Sequence, residues 1–79
     1  MILTESQREM IEINVAKIDV MEAHELRVYM QNLYLGKEAL GIEVFTWLLR
    51  AGELQMANLM QRASVSAMAV ISELRADEV

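Results

Sequence analysis

The chain contains no cysteine and no proline, and only three glycines and one histidine among 79 residues. Without cysteine, neither a disulfide nor a thiolate metal site can reinforce so small a fold, and the absence fits a reducing compartment. With no proline and little glycine, few turns are marked, so long helices are expected. Long apolar runs are missing as well. The longest stretch free of charge, Ala63 to Ser72, has ten residues, whereas a membrane-spanning helix needs roughly 20. The opening MILTESQRE soon turns polar and does not read as a signal peptide. A soluble chain in the cytoplasm, with no membrane partner, is the expectation.

Positive charge is scarce. Seven Lys and Arg stand against twelve Asp and Glu, a net of −5 that divides as −3 over 1–35, 0 over 36–52 and −2 over 53–79. Nucleic-acid binding draws on clustered cations that displace counterions from phosphates, and the basic residues here are scattered. Alternation of the strand type is absent, as are repeats and linkers.

What the chain has in excess is apolar surface, 54% of its residues. Seventy-nine residues make a single domain, 1–79, near the size where one core barely suffices. Ordering it costs on the order of 100 kcal/mol of conformational entropy, so most of that surface must be hidden. One copy has little interior in which to hide it, which points to burial against a second copy or another protein. The expected fold is all-α, a bundle of three helices at about 4–35, 37–51 and 53–76, completed by a second copy. Thr4 with Gln7 forms a capping box for the first helix, Gly36 suits a left-handed stop, and Gly52 separates the second helix from the third.

Successive 100° steps along the first helix gather Ile11, Val15, Ile18, Leu26, Tyr29 and Leu33 into an arc of about 80°. A second arc holds Met10, Ile13, Val20, Met21, Val28 and Leu35. Asn14, Glu25 and Asn32 run between the two on one side. Glu5, Arg8, Glu9, Glu12, Asp19 and Arg27 form an acidic face on the other. One core needs one stripe, so the second is read as an interface between copies, the alternative being that the second and third helices each cover one stripe within a single chain. In the third helix Met56, Met60, Ala63, Ala67, Val70 and Leu74 follow 4-3-4-3-4 spacing, the seam of a coiled-coil-like contact. Ala63 and Ala67 allow close approach of another helix, either the first helix of the same chain or a copy. The expected dimer interface is therefore Met10, Ile13, Val20, Met21, Val28, Ala63 and Ala67.

Glu22 breaks the pattern, falling at the centre of the first arc. A buried lone carboxylate costs several kcal/mol, so it must be paired, with Arg50 or Arg62, or must stand where the helix bends toward water. The favoured pairing is a buried ion pair of Glu22 with Arg50.

The stretch KEALGIEVFTWLLRAGEL, Lys37 to Leu54, resembles a helix-turn-helix. Leu40 and Ile42 flank the turn at Gly41, and Thr46 and Arg50 could read bases. It departs from that pattern at Lys37, where a small residue is expected, at Arg50, where a core residue is expected, and at Glu43, which phosphates would repel. Catalytic and metal patterns are incomplete. HELRV at 24–28 has Val28 where a zinc-protease helix has its second His, and Met21 replaces the Glu of a Glu-x-x-His di-iron motif. His24 is the only histidine, and no serine stands in a Gly-rich elbow. No enzyme, cofactor or metal is expected, and His24 reads as a flank of the second stripe.

Met30 and Tyr34 lie one turn apart on the side of Glu12 and Asp19. With Trp47 they could anchor a partner that has a basic surface, unless the second helix folds back over them. The leading expectation is a small acidic interaction module, a homodimer that binds and modulates or inhibits a larger protein, in the manner of an adaptor, an anti-activator or a virus-encoded inhibitor acting in host cytoplasm. The alternatives are a helix-turn-helix-like DNA-binding regulator through 37–52 and a purely structural, self-assembling component.

Overall fold

A computed structural model describes residues 3–61 and 65–76, and among these the chain is all-helical. Its elements are α1 (Glu5–Asp19), α2 (Ala23–Leu35), α3 (Lys37–Leu40), α4 (Ile42–Leu59) and α5 (Ala69–Ala76). The expected helix class holds, but among the described residues the three expected helices are redivided into five.

α1 starts as its sequence requires. Thr4 Oγ1 accepts from the Gln7 amide at 3.1 Å and the Thr4 amide donates to Gln7 Oε1 at 2.8 Å, satisfying two amides that the first turn leaves free. The helix ends at Asp19 rather than running on to Leu35. An unbroken helix would carry Glu22 into the middle of the buried arc. The interruption at Val20–Glu22 instead turns Glu22 into the exposed residue that precedes α2, its amide donating to Glu25 Oε1 at 3.1 Å. The carbonyl freed at Met21 accepts from Nε2 of Gln55 at 3.0 Å, and Gln55 is itself buried on α4. The break is thus closed from across the core, and the helix bends toward water. The buried Glu22–Arg50 pair does not form: His24 is the neighbour of Glu22, while Arg50 Nη2 lies 2.8 Å from Glu73 at the surface.

The glycines also behave differently from their sequence reading. Gly36 ends α2 at φ −92°, in the ordinary right-handed half, and the left-handed residue is Gly41, at φ 86° and ψ 149°. That combination is open almost only to glycine, and it lets α3 turn into α4. Gly52 does not break the chain; α4 passes through it to Leu59. A Cβ there would lie 2.3 Å from Met30 Sδ, so the missing side chain is what lets α2 pack closely on α4.

The expected third helix is likewise divided. α4 stops at Leu59, Gln61 adopts φ 57°, and α5 begins only at Ala69. Asn58 Nδ2 donates to the Val65 carbonyl, and Ser66 Oγ donates to Asp19. Ala67, Val70 and Leu74 of the predicted seam are completely buried, and they join Ile11, Val15 and Ile18 of α1, Leu26 and Leu33 of α2, and Val44, Phe45, Leu48 and Ala51 of α4 in one core. Ala67 therefore packs within the chain instead of between copies. Ala63, its seam companion, lies outside the described residues.

α4 is the hub, packing on α1, α2, α3 and α5. Each fully buried Leu, Ile or Val contributes about 1.5–3 kcal/mol. Arg8, expected on the acidic face, is buried with them, and its Nη1 donates to the Leu74 carbonyl at 3.3 Å. No helix among the described residues is long and apolar enough to cross a membrane.

Candidate interaction surface

The break at Val20–Glu22 leaves one flank of the opening helices covered and the other open. The second stripe stays largely outside: Ile13 is 57% exposed, Val20 78%, Val28 56% and Leu35 85%. Met10 and Met21 are half-buried and pack against the edge of the core. Of the residues expected at an interface between copies, Ile13, Val20 and Val28 thus present side chains to water, Met10 and Met21 do so in part, and Ala67 does not.

The residues expected to anchor a partner are mostly engaged inside the chain. Met30 is half-buried against Gly52, as folding back of the chain after α2 requires. Tyr34 remains exposed but sets its edge on Phe45, ring centroids 5.3 Å apart at 66°. Lys37 Nζ lies 5.1 Å from the same ring, a cation–π contact. Trp47 is half-buried beside the core. Glu12 Oε1 accepts from Arg75 Nη2 at 2.6 Å, and Asp19 accepts from Ser66. Both carboxylates therefore help fasten the C-terminal part onto α1.

Within 37–52 the helix–glycine–helix order is present, but α3 is a single turn. The two candidate base readers are occupied, Thr46 Oγ1 donating to the Ile42 carbonyl at 2.6 Å and Arg50 pairing with Glu73.

Two further groupings emerge that the spacing did not bring forward. Glu22, His24 and Glu25 place their ligand atoms within 4.8 Å of one another at the surface. They stand on the first turn of α2, where the helix dipole opposes a cation, and Glu25 already accepts the Glu22 amide. The second grouping is a cavity of about 180 Å³ lined by Met10, Asn14, Tyr29, Asn32, Leu33, Leu40 and Leu48. Tyr29 Oη donates to Asn14 Oδ1 at 3.1 Å, and Asn14 Nδ2 donates to the Met10 carbonyl at 2.8 Å. Burial pushes the Tyr29 phenol above its usual 10.0. The wheel placed Asn14, Asn32 and Tyr29 near one another on a single helix, but the pocket draws them from two, α1 supplying Asn14 and α2 supplying Tyr29 and Asn32.

No protein-family model, curated protein or solved structure matches the chain.

Proposed function

We propose that the protein is a small acidic interaction module that self-associates as a homodimer and modulates a larger protein by binding it, without catalysis. The uncovered flank of α1 and α2, with Ile13, Val20, Val28 and Leu35 out in water, carries this reading. The cytoplasm is its proposed place of action, host cytoplasm if the gene is virus-borne. The net charge of −5 suits a target with a basic surface, whose association rate salt would slow.

Light scattering at micromolar concentration tests the first half: the expected mass is twice 9.0 kDa, and Val20→Glu with Val28→Glu should return it to a single chain. A folded wild-type monomer sinks the dimer. An affinity-tagged copy tests the second half. If nothing is captured in a salt-sensitive manner, the dimer is a structural component whose partner is itself.

A further inference from the structure

We infer that the open pocket among α1, α2, α3 and α4 is a binding site for a small neutral aromatic molecule of the phenol class, one six-membered ring carrying a hydroxyl. Size is the first argument. An enclosed apolar cavity of about 150 Å³ takes up benzene; this pocket measures about 180 Å³ and opens to solvent on the side of Asn32, so a ring fits with its polar substituent near the mouth. Chemistry is the second. Met10, Leu33, Leu40 and Leu48 supply apolar walls, and no charged side chain lines the space. An ionised ligand would shed its hydration there without gaining a counter-charge.

The polar groups define the third argument. Asn14 is engaged on both sides, accepting from Tyr29 and donating to the Met10 carbonyl. Because the Tyr29 proton is used on Asn14, its oxygen keeps a lone pair for an incoming donor. Asn32 is exposed on the same lining and carries both a donor and an acceptor. A phenolic hydroxyl can donate to Tyr29 and accept from Asn32 with one atom, while its ring rests on the leucines. Benzene fits the walls but satisfies neither group. All seven lining residues come from one chain, and Met10 alone of them also belongs to the flank proposed to self-associate.

Titration of the isotope-labelled protein with phenol, followed by nuclear magnetic resonance, tests the assignment. Saturable shifts are expected at the Asn14 and Asn32 side-chain amides and at the Met10 and Leu48 methyls, with Kd about 1–10 mM for so few ligand atoms. Tyr29→Phe, which removes one hydrogen bond, should weaken phenol about fivefold, and benzene, which makes neither, should bind the wild type at least about tenfold more weakly than phenol. The charged analogue 4-hydroxybenzoate should bind at least about tenfold more weakly. Leu40→Trp, at the half-buried edge of the cavity, should abolish the shifts while circular dichroism stays helical. The proposal fails if phenol does not saturate, if its shifts fall on Val20 and Val28, or if 4-hydroxybenzoate binds equally well. The phenol-to-benzene ratio needs no variant, so misfolding of a mutant cannot rescue or hide the outcome.

Discussion

Two apolar flanks run along α1 and α2, and they have met opposite fates. The first, Ile11, Val15, Ile18, Leu26 and Leu33, is 4% exposed at most; the second, Ile13, Val20, Val28 and Leu35, is more than half exposed throughout. Both draw mainly on Ile, Val and Leu, with the half-buried Tyr29 at the edge of the first and Met10 and Met21 at the edge of the second, so composition alone does not foretell their fates. What separates them is α4. The chain has one long central helix to lay across the opening pair, and that helix covers one side only. Hydrophobicity therefore shows which surfaces seek cover, whereas the number and length of the remaining elements decide which of them receive it.

The largest expected effect contrasts neighbouring residues on α2. Leu26→Ala removes a completely buried side chain and should cost about 2–5 kcal/mol in denaturant unfolding. Val28→Ser, two positions along and 56% exposed, should change the stability of the single chain by no more than about 0.5 kcal/mol. Measured across protein concentration, the Val28 variant sharpens the comparison. If it is as costly as Leu26→Ala even at the lowest concentration, the second flank is covered within the chain and the contrast between the flanks is gone.

A smaller effect tests the joint that aims α4. Gly41→Ala should cost about 1–3 kcal/mol. No atom lies within 4 Å of the added methyl, so the whole loss would come from φ 86°. Equal stability would show that the turn relaxes freely and that the placement of α4 over the first flank is not fixed there.

These two glycines also show how far the sequence could be read. The helical class, the cap at Thr4 and the buried arc were legible because periodicity and capping are local. Gly41 was read as a turn and is one. Gly52 looked the same by composition, yet its lack of a side chain serves Met30 on another helix, a tertiary reason that no local pattern displays. The break at Val20–Glu22 is the converse, an interruption with neither glycine nor proline. Its only sequence sign was a carboxylate at the centre of an apolar arc, and its support, the buried Gln55, comes from 34 residues away. The interaction residues were the least legible. The wheel left Met30 and Tyr34 either free or covered by a returning helix, and α4 covers Met30 at Gly52 while Tyr34 stays exposed against Phe45.

At the far end of α4 the expected effect reverses sign. Gln61 holds φ 57° just beyond the helix, where a side chain is disfavoured by roughly 1–2 kcal/mol and glycine is not. Gln61→Gly should therefore stabilise the protein by about 0.5–1 kcal/mol, glycine's greater freedom when unfolded taking back part of the gain. A loss of stability would mean that the glutamine side chain contributes to the crossing toward α5, which would extend the covered region beyond α4.

The smallest effect falls on Tyr29, which belongs to the covered arc by position but stands at its edge, half-buried beside the cavity. Burial raises its phenol pKa above 10.0, so the folded state holds this proton more tightly than the unfolded chain does. The associated stability is fully present below pH 10.0 and is lost as pH climbs through the higher folded value. Tyr29→Phe also removes the hydrogen bond to Asn14, so the variant should unfold at lower denaturant than wild type at pH 8. Above pH 10 the wild type should fall toward the variant and the gap should close, because ionisation then favours the unfolded chain in wild type alone. A gap that stays constant to pH 11 would mean that the phenol meets water as freely in the fold as out of it. The boundary between the covered and open flanks would then lie inward of Tyr29, at Leu26 and Leu33.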